Sequence, residues 1–163
     1  MAVIWITGLP GVGKTAVACA LAAHLRAHGE SCVVLDGDEL RAALAPLDGG
    51  YDAAARRRLA LAYSNLAALI SAQGHTAVVA TVSLIADVHR ENRARFARYL
   101  EVLLTCEQAE RDRRRPPDGL RGARHGVEIA SEFPAEPHLA FATDATAPES
   151  LALRILARWH ADA

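Results

Sequence analysis

Short apolar runs alternate along this chain with longer stretches that have the composition and spacing of helices. The runs cover residues 3–7, 32–35, 77–82, 102–105 and 139–142. As a group they are continuously apolar and rich in β-branched residues, which is typical of strands buried on both faces of a parallel sheet. We therefore expect five buried strands.

Helical patterns separate these runs. We expect helices over residues 16–28, 53–73, 87–99 and 107–115, and a last one over 148–159. Gly29 and Gly74 follow the first two helices, at a position where glycine commonly ends a helix. Strands that alternate with helices predict an α/β fold with helices on both faces of the sheet.

The length of 163 residues fits one domain with a full core, so we expect a single domain over residues 1–163. The least regular part is the segment of about residues 111–137, which is rich in arginine and proline. We expect it to form a mobile lid; a disordered surface loop is the alternative.

Composition indicates a cytoplasmic globular protein. Hydrophobic residues make up 52% and charged residues 23% of the chain, and no apolar run approaches the roughly 18 to 20 residues of a membrane span. The first residues lack the basic region of a signal peptide. Cys19, Cys32 and Cys106 form no CxxC pair, and we expect reduced, mostly buried thiols. The net charge of −1 gives no sign of a nucleic-acid-binding surface.

Lys14 is the single lysine of a chain that otherwise uses arginine for its basic residues. Lysine and arginine total 18 residues, of which 17 are arginine, and alanine occurs 35 times. A GC-rich coding background explains both biases, because it replaces lysine wherever arginine will serve. Lys14 is the one place where the chain keeps an ammonium group.

That lysine lies in the sequence GLPGVGKT, residues 8–15, which matches the phosphate-binding pattern G-x-x-x-x-G-K-[ST] at every fixed position. Glycines let backbone N–H groups wrap around a phosphate, and the N-terminus of the following helix adds positive charge. The lysine binds the β- and γ-phosphates, and Thr15 is a ligand for Mg²⁺. We predict that ATP is bound by Gly8, Gly11, Val12, Gly13, Lys14, Thr15 and Ala16.

The pattern alone fits kinases, GTPases and motors. The chain has no N-K-x-D sequence for guanine recognition, and its length leaves little room for accessory domains. A small phosphotransferase therefore fits best.

Polar residues follow the second apolar run, where Asp36, Asp38 and Arg41 lie within six positions. Ligands of open parallel sheets bind outside the carboxyl ends of the strands. Asp38 could accept a proton from an attacking hydroxyl or hold a water on Mg²⁺, and Arg41 could bind an anionic acceptor. Alternatively Asp38 is the N-cap of a helix. The two roles are compatible.

These two motifs at this distance resemble the adenylylsulfate kinase family, whose chains open with W-I-T-G-L-x-G-x-G-K-T and continue to L-D-G-D-x-x-R. They stand here at residues 5–15 and 35–41. The resemblance covers most of the chain and runs on through Gly50-Tyr51, Arg56, Gln73-Gly74, Thr81-Val82-Ser83, Glu101-Val102, Arg111-Asp112, Gly119-Leu120 and Ala123-Arg124. It implies a P-loop kinase fold, a three-layer α/β/α sandwich around a five-stranded parallel sheet of order 2-3-1-4-5. It also implies transfer of the γ-phosphate of ATP to the 3′-hydroxyl of adenylyl sulfate, in sulfate assimilation.

The resemblance further implies individual roles. The catalytic residues would be Lys14 and Asp38, with Asp38 as the base and Asp36 supporting it. The acceptor-binding residues would be Asp38, Arg41, Tyr51, Arg56, Val82 and Ser83. Tyr51 would stack on the acceptor's base, although an aromatic residue at such a junction is also typical of a packing anchor. Arg111 would cover the adenine of ATP.

Departures from the family pattern fall on the acceptor side. Leu59 stands where the family usually has Asn, and Leu84 replaces the Pro after Ser83. In the lid segment the family pattern is R-D-x-K-G-L-Y. In this chain residues 113–117 are inserted into that pattern, and its Lys and Tyr are absent. The residues on the ATP side match the family pattern, whereas those on the acceptor side differ from it. This combination is expected when a kinase keeps its chemistry and changes its substrate.

The helix after the third run supports this interpretation. Residues 83–96 resemble a branch of the family with W-N-R near the start of this helix. Members of that branch include kinases for other nucleotide-linked or secondary-metabolite acceptors.

Adenylyl sulfate is therefore the leading acceptor, and another anionic, nucleotide-like hydroxyl compound is the alternative. A non-enzymatic nucleic-acid-binding regulator is the third, suggested by the arginine runs at residues 56–58 and 113–115. Aromatic residues make up only 5% of the chain, which disfavours it. We expect a small-molecule acceptor, no nucleic-acid or membrane partner, and leave a homodimer open.

Overall fold

A computed structural model describes residues 1–44, 52–114 and 130–162. The strands in this part of the chain are β1 (Ala2–Thr7), β2 (Cys32–Asp36), β3 (Thr76–Thr81), β4 (Arg98–Thr105) and β5 (Leu139–Ala142). The helices are α1 (Lys14–Ala27), α2 (Gly37–Ala43), α3 (Ala53–Ala72), α4 (Ala86–Arg95), α5 (Gln108–Arg114) and α6 (Pro148–Ala161).

The five strands form one sheet in the order β2-β3-β1-β4-β5, and all four pairings are parallel. This confirms the parallel α/β sheet predicted from the apolar runs and the strand order implied by the family resemblance. The central strand β1 pairs with β3 on one side and β4 on the other, so its carboxyl end lies in the middle of the sheet.

Two apolar layers cover the faces of the sheet, because successive side chains of a strand point to opposite faces. Ile4 and Ile6 of β1 pack with side chains of α1 and α6. Val3 and Trp5 pack on the other face with side chains of α3 and α4. The result is a three-layer α/β/α sandwich.

One predicted boundary is wrong. The pattern predicts a helix to residue 99 and a strand from residue 102, whereas α4 ends at Arg95 and β4 begins at Arg98. Arg98 and Tyr99 pair with Ala2 and Val3 of β1, and the Tyr99 ring stacks on Phe96 at 5.9 Å. Pairing with the central strand therefore overrides the helical appearance of these polar residues.

The expectation of mostly buried cysteines is also wrong. Cys32 is buried in β2, Cys106 is partly exposed, and Cys19 is exposed. The buried positions of α1 are residues 17, 18, 21, 22 and 25, so Cys19 lies on the solvent side of that helix.

Candidate functional site

A glycine-rich loop joins the end of β1 to α1. Gly8, Gly11 and Gly13 have φ angles of 150°, 83° and 90°, a region that other residues rarely adopt. A Cβ atom on Gly8 would lie 2.3 Å from the backbone oxygen of Leu104, and one on Gly11 would lie 2.9 Å from that of Arg111. The loop is therefore wound closely between β4 and α5 and needs glycine at both positions.

Lys14 is the first residue of α1 and reaches back over this loop. Its Nζ donates to the backbone oxygens of Gly8 and Leu9, each at 3.0 Å. The N-cap is Gly13, which has no side chain to accept the first N–H groups of the helix. A lysine beside an open helix N-terminus is the arrangement that binds phosphate groups.

Asp36 connects the loop to the second strand. It is the last residue of β2, is 7% exposed, and accepts a hydrogen bond of 2.6 Å from the Thr15 hydroxyl. Its other oxygen accepts from the backbone N–H of Asp38 at 2.9 Å and of Glu39 at 3.4 Å. One carboxylate thus joins the first turn of α1 to the first turn of α2.

The suggested N-cap role of Asp38 is wrong. The cap of α2 is Asp36, because the helix begins directly after the strand at Gly37. Asp38 lies in the first turn, with an exposed side chain.

The hydroxyl of Thr15 and the carboxylate of Asp36 are hard oxygen donors, the ligand type that Mg²⁺ prefers. Their separation of 2.6 Å shows that the fold brings them to one point beside the phosphate loop. These residues fit a magnesium site.

The end of β3 lies against this group. A Cβ atom on Gly37 would lie 3.1 Å from Thr81 Oγ1, and the Thr81 and Ser83 hydroxyls are 2.9 Å apart. The Thr7 hydroxyl at the end of β1 donates to the backbone oxygen of Val82 at 2.7 Å. The carboxyl ends of β1, β2 and β3 therefore form one connected surface that includes Val82 and Ser83.

Other residues of the predicted acceptor site are only partly placed. Arg41 lies in the last turn of α2 and Arg56 in α3, and both side chains are half-buried. Tyr51 and residues 115–129 of the expected lid segment lie outside the described residues. Leu59 of α3 packs against the apolar cluster that contains Trp5.

A cavity of about 390 Å³ lies between the start of α1, α5 and the connection from β5 to α6. Its lining includes Gly13, Ala16, Arg114, Thr143 and Leu151. It opens beside the phosphate loop, since Val12 and Gly13 of the loop belong to its lining.

Arg114, rather than Arg111, extends into this lining. The guanidinium of Arg111 donates to the backbone oxygen of Cys106 at 3.2 Å and to Gln108 Oε1 at 2.5 Å. Sequence reasoning missed Arg114, although its position three residues after Arg111 puts both on one side of α5.

Three nitrogen atoms of Arg114 are held in place. Nε donates to Glu110 at 2.8 Å, and Nη1 and Nη2 donate to the hydroxyl and backbone oxygen of Thr143 at 3.1 and 2.9 Å. Hydrogen bonds from Arg113 and Arg114 lower the pKa of Glu110 to about 2, so this carboxylate is charged at neutral pH. These hydrogen bonds fix the orientation of the guanidinium beside the cavity.

A buried carboxylate lies in β4, the strand that pairs with β1. Its structural role could not be seen in the sequence. Glu101 of β4 is fully buried. His89 Nδ1, Arg93 Nη2 and the Tyr99 hydroxyl lie 2.8, 2.5 and 3.1 Å from its oxygens. Burial raises the pKa of Glu101, but the hydrogen bonds from His89 and Arg93 outweigh burial and hold it below the usual range. This network joins α4 to β4.

The sheet order and the phosphate loop after its central strand define the class: this is a P-loop kinase fold. Within that class the comparison with family models is specific, since the model described as adenylylsulphate kinase matches residues 1–137. The chain belongs to the adenylylsulphate kinase family.

Individual relatives differ in their named acceptors. A cytidine diphosphoramidate kinase from Campylobacter jejuni is 34% identical over 108 residues, which cover 66% of this chain and 62% of that protein. An adenylyl-sulfate kinase from Pseudomonas aeruginosa is 30% identical over 164 residues, covering 95% of this chain and 83% of that protein.

A solved structure agrees over nearly the whole chain. The Mycobacterium tuberculosis APS kinase CysC in complex with AMPPNP and APS superposes with a TM-score of 0.85. It is 28% identical to this chain, and the match covers 96% of this chain and 95% of that one.

Proposed function

We propose that this protein is an ATP-dependent kinase that transfers the γ-phosphate to a hydroxyl group of an anionic, nucleotide-like acceptor, with adenylyl sulfate as the first candidate. The observation that carries the proposal is the junction of the phosphate loop with the end of β2, where Thr15 and Asp36 are 2.6 Å apart. Family membership and the similarity to a kinase in complex with AMPPNP and APS support it.

ATP would bind along the loop and the cavity. Lys14 is held by two loop carbonyls at 3.0 Å, so its ammonium group is already beside the phosphate position. The base would enter the cavity under the face of Arg114. Arg111, the residue expected there from the family, packs its backbone against Gly11 and thus supports the loop from outside.

Mg²⁺ would be held by Thr15 and Asp36. When bound, the ion neutralises negative charge on the phosphate oxygens during transfer. Asp36 also orients α2 as its N-cap, so the same carboxylate aligns the acceptor side with the phosphate loop.

Asp38 is the proposed base. Its exposed carboxylate lies in the first turn of α2, two residues beyond Asp36, where it can accept the proton of an acceptor hydroxyl. Arg41 and Arg56 would bind the anionic part of the acceptor. Val82 and Ser83 would line its pocket, and Tyr51 would stack on its base.

A second candidate acceptor is a cytidine-linked compound such as cytidine diphosphoramidate. The Campylobacter jejuni relative that carries this name is 34% identical over 108 residues. In addition, Leu59 packs into the apolar cluster of α3 instead of offering an amide at the position where the family pattern has one. A pocket without that hydrogen-bonding group rejects alternative acceptors less strongly.

The test measures ADP release from Mg·ATP with adenylyl sulfate, cytidine diphosphoramidate and simple nucleotides as acceptors. A kcat/KM of about 10⁴ M⁻¹s⁻¹ or more with adenylyl sulfate supports the first candidate. A higher value with the cytidine compound supports the second. The Lys14→Ala protein, purified in parallel, controls for contaminating kinases.

Absence of turnover with every acceptor, while ATP still binds, would overturn the kinase proposal. Retention of RNA or DNA with a steep salt dependence would instead favour the nucleic-acid-binding alternative.

Location and assembly remain predictions. We propose a cytoplasmic enzyme, monomeric or homodimeric, and its mass in solution decides between the two. Over residues 1–44, 52–114 and 130–162, each helix is too short or too polar to cross a membrane.

A further inference from the structure

The segment of residues 130–137, which leads into β5, is fastened to the start of α4. The backbone N–H of Glu132 donates to the oxygen of Leu84 at 3.1 Å. The Glu132 carboxylate accepts from the backbone N–H of Ala86 at 2.8 Å. Two hydrogen bonds thus join Glu132 to residues 46 and 48 positions earlier in the chain.

This carboxylate acts as the N-cap that α4 lacks locally. The N-cap residue of α4 is Ile85, whose side chain has no oxygen, and Ala86 is the first residue of the helix. A charged acceptor at a helix N-terminus satisfies an otherwise unpaired N–H and interacts favourably with the helix dipole. Glu132 supplies it from a distant segment.

The other end of the segment is held independently. Arg93 donates to the backbone oxygen of Glu136 and to the buried carboxylate of Glu101. The backbone N–H of Glu101 donates to His138 Nδ1 at 2.9 Å. Removing the Glu132 side chain would therefore loosen this contact, leaving only the backbone bond to Leu84 at the α4 start, while the far end stays attached.

The loosened contact adjoins the proposed acceptor pocket. Leu84 directly follows Ser83, which is 9% exposed and hydrogen-bonded to Thr81. Thr81 in turn packs against Gly37, at the end of β2. Movement of Leu84 and Ala86 would change the position of Ser83 but not the phosphate loop, which is built from β1 and α1.

We propose that Glu132 is a positioning residue for the acceptor: by holding Leu84 and Ala86, it keeps Val82 and Ser83 in place as the pocket wall. This inference rests on the proposed function, since the pocket is assigned there. It adds a residue that touches neither ATP nor the phosphate loop, and whose effect is confined to acceptor binding.

The test compares Glu132→Ala with Glu132→Gln, and uses Glu136→Ala as the matched control. Glu136 is an exposed glutamate on the same segment that contributes its backbone oxygen to Arg93. Glu132→Ala should raise KM for the acceptor by up to about tenfold, the factor that corresponds to the typical stability cost of losing a cap, with KM for ATP unchanged. Glutamine keeps an accepting oxygen, so Glu132→Gln should stay within about threefold of the wild type.

Hydrogen–deuterium exchange without ligands gives an independent readout. Peptides that cover residues 84–90 should exchange faster in Glu132→Ala and not in Glu132→Gln or Glu136→Ala. Equal increases in KM for ATP and for the acceptor would indicate a merely structural role and overturn the proposal. So would faster exchange with an unchanged acceptor KM.

The two proposals fail differently. If the wild type phosphorylates none of the acceptors, the proposed function fails. The Glu132 contact is then tested by hydrogen–deuterium exchange alone. Unchanged exchange in Glu132→Ala would refute that contact whatever the enzyme's substrate.

Discussion

Substitution of Asp36 separates its structural role from its chemical one. Asparagine is as good an N-cap as aspartate, so Asp36→Asn should keep the bonds from Asp38 and Glu39 and cost at most about 1 kcal/mol of stability. It removes the negative charge beside Thr15. Loss of a charged group that stabilises a transferring phosphate typically lowers kcat by about 100-fold or more, so we expect a stable but nearly inactive protein.

Asp36→Ala should lose both roles. The missing cap costs about 0.5–2 kcal/mol, and the Thr15 hydroxyl also loses its partner. For a chain of this size each kcal/mol lowers Tm by roughly 2–4 °C, so we expect a decrease of about 1–8 °C. Its kcat should be as low as that of Asp36→Asn.

The assay combines thermal unfolding with kcat measured over a series of Mg²⁺ concentrations at saturating ATP. Asp52→Asn is the matched control, because Asp52 is the N-cap of α3 and accepts from the backbone N–H of Ala55 at 2.7 Å. This control should keep both Tm and kcat. If Asp36→Asn retained kcat within about threefold, Asp36 would be only a helix cap and the proposed magnesium site would be wrong.

Four further predictions follow from the same geometry. Lys14→Ala should lower kcat at least about 100-fold with Tm unchanged, and Lys14→Arg should not restore it, because a planar guanidinium does not fit the position of a compact ammonium group. Asp38→Asn should lower kcat far more than ATP affinity, measured by nucleotide titration, and should leave Tm unchanged because Asp36 is the cap. Arg114→Ala should raise KM for ATP more than Arg111→Ala does, since Arg114 lines the cavity; the reverse order would restore the family expectation. Because the folded-state pKa of Glu101 is lowered, its stabilisation is fully present above the unfolded value of about 4.3 and is lost as the pH falls through the lower folded value. Urea unfolding between pH 7 and 3 should show this loss in the wild type and a flatter profile in Glu101→Gln.

Most of the fold could be predicted because its inner strands are buried on both faces. Such strands are continuous apolar runs, and the run at residues 77–82 lies within one residue of β3 at both ends, a strand in which every residue is buried. The edge strand β5 is only partly buried, although its apolar run at residues 139–142 matches it at both ends. The start of β4 could not be predicted in this way. Arg98, Tyr99 and Glu101 are polar, and only their pairing with β1 and the partners His89 and Arg93 explain why they lie in a strand.

The phosphate side of the site could be predicted because its parts are contiguous. Backbone angles, glycine spacing and the helix start all lie within residues 8–15, so a short motif specifies the geometry. The cap role of Asp36 was missed, since it depends on where α2 begins. Arg114 was missed because the cavity it lines is completed by Thr143, which follows the neighbouring strand β5 and is 29 residues away in the chain.

The acceptor side has no comparable local signature, and this is a physical property of the fold. The wall proposed for it lies at the ends of separate strands, next to contacts such as that of Glu132 with Ala86, 46 residues away. A substitution there can be absorbed by the core, as Leu59 is, without any effect on the phosphate loop. We therefore expect that phosphate transfer and acceptor choice can change independently. Relatives named for adenylyl sulfate and for cytidine diphosphoramidate both align with this chain. Only direct competition between acceptors distinguishes them.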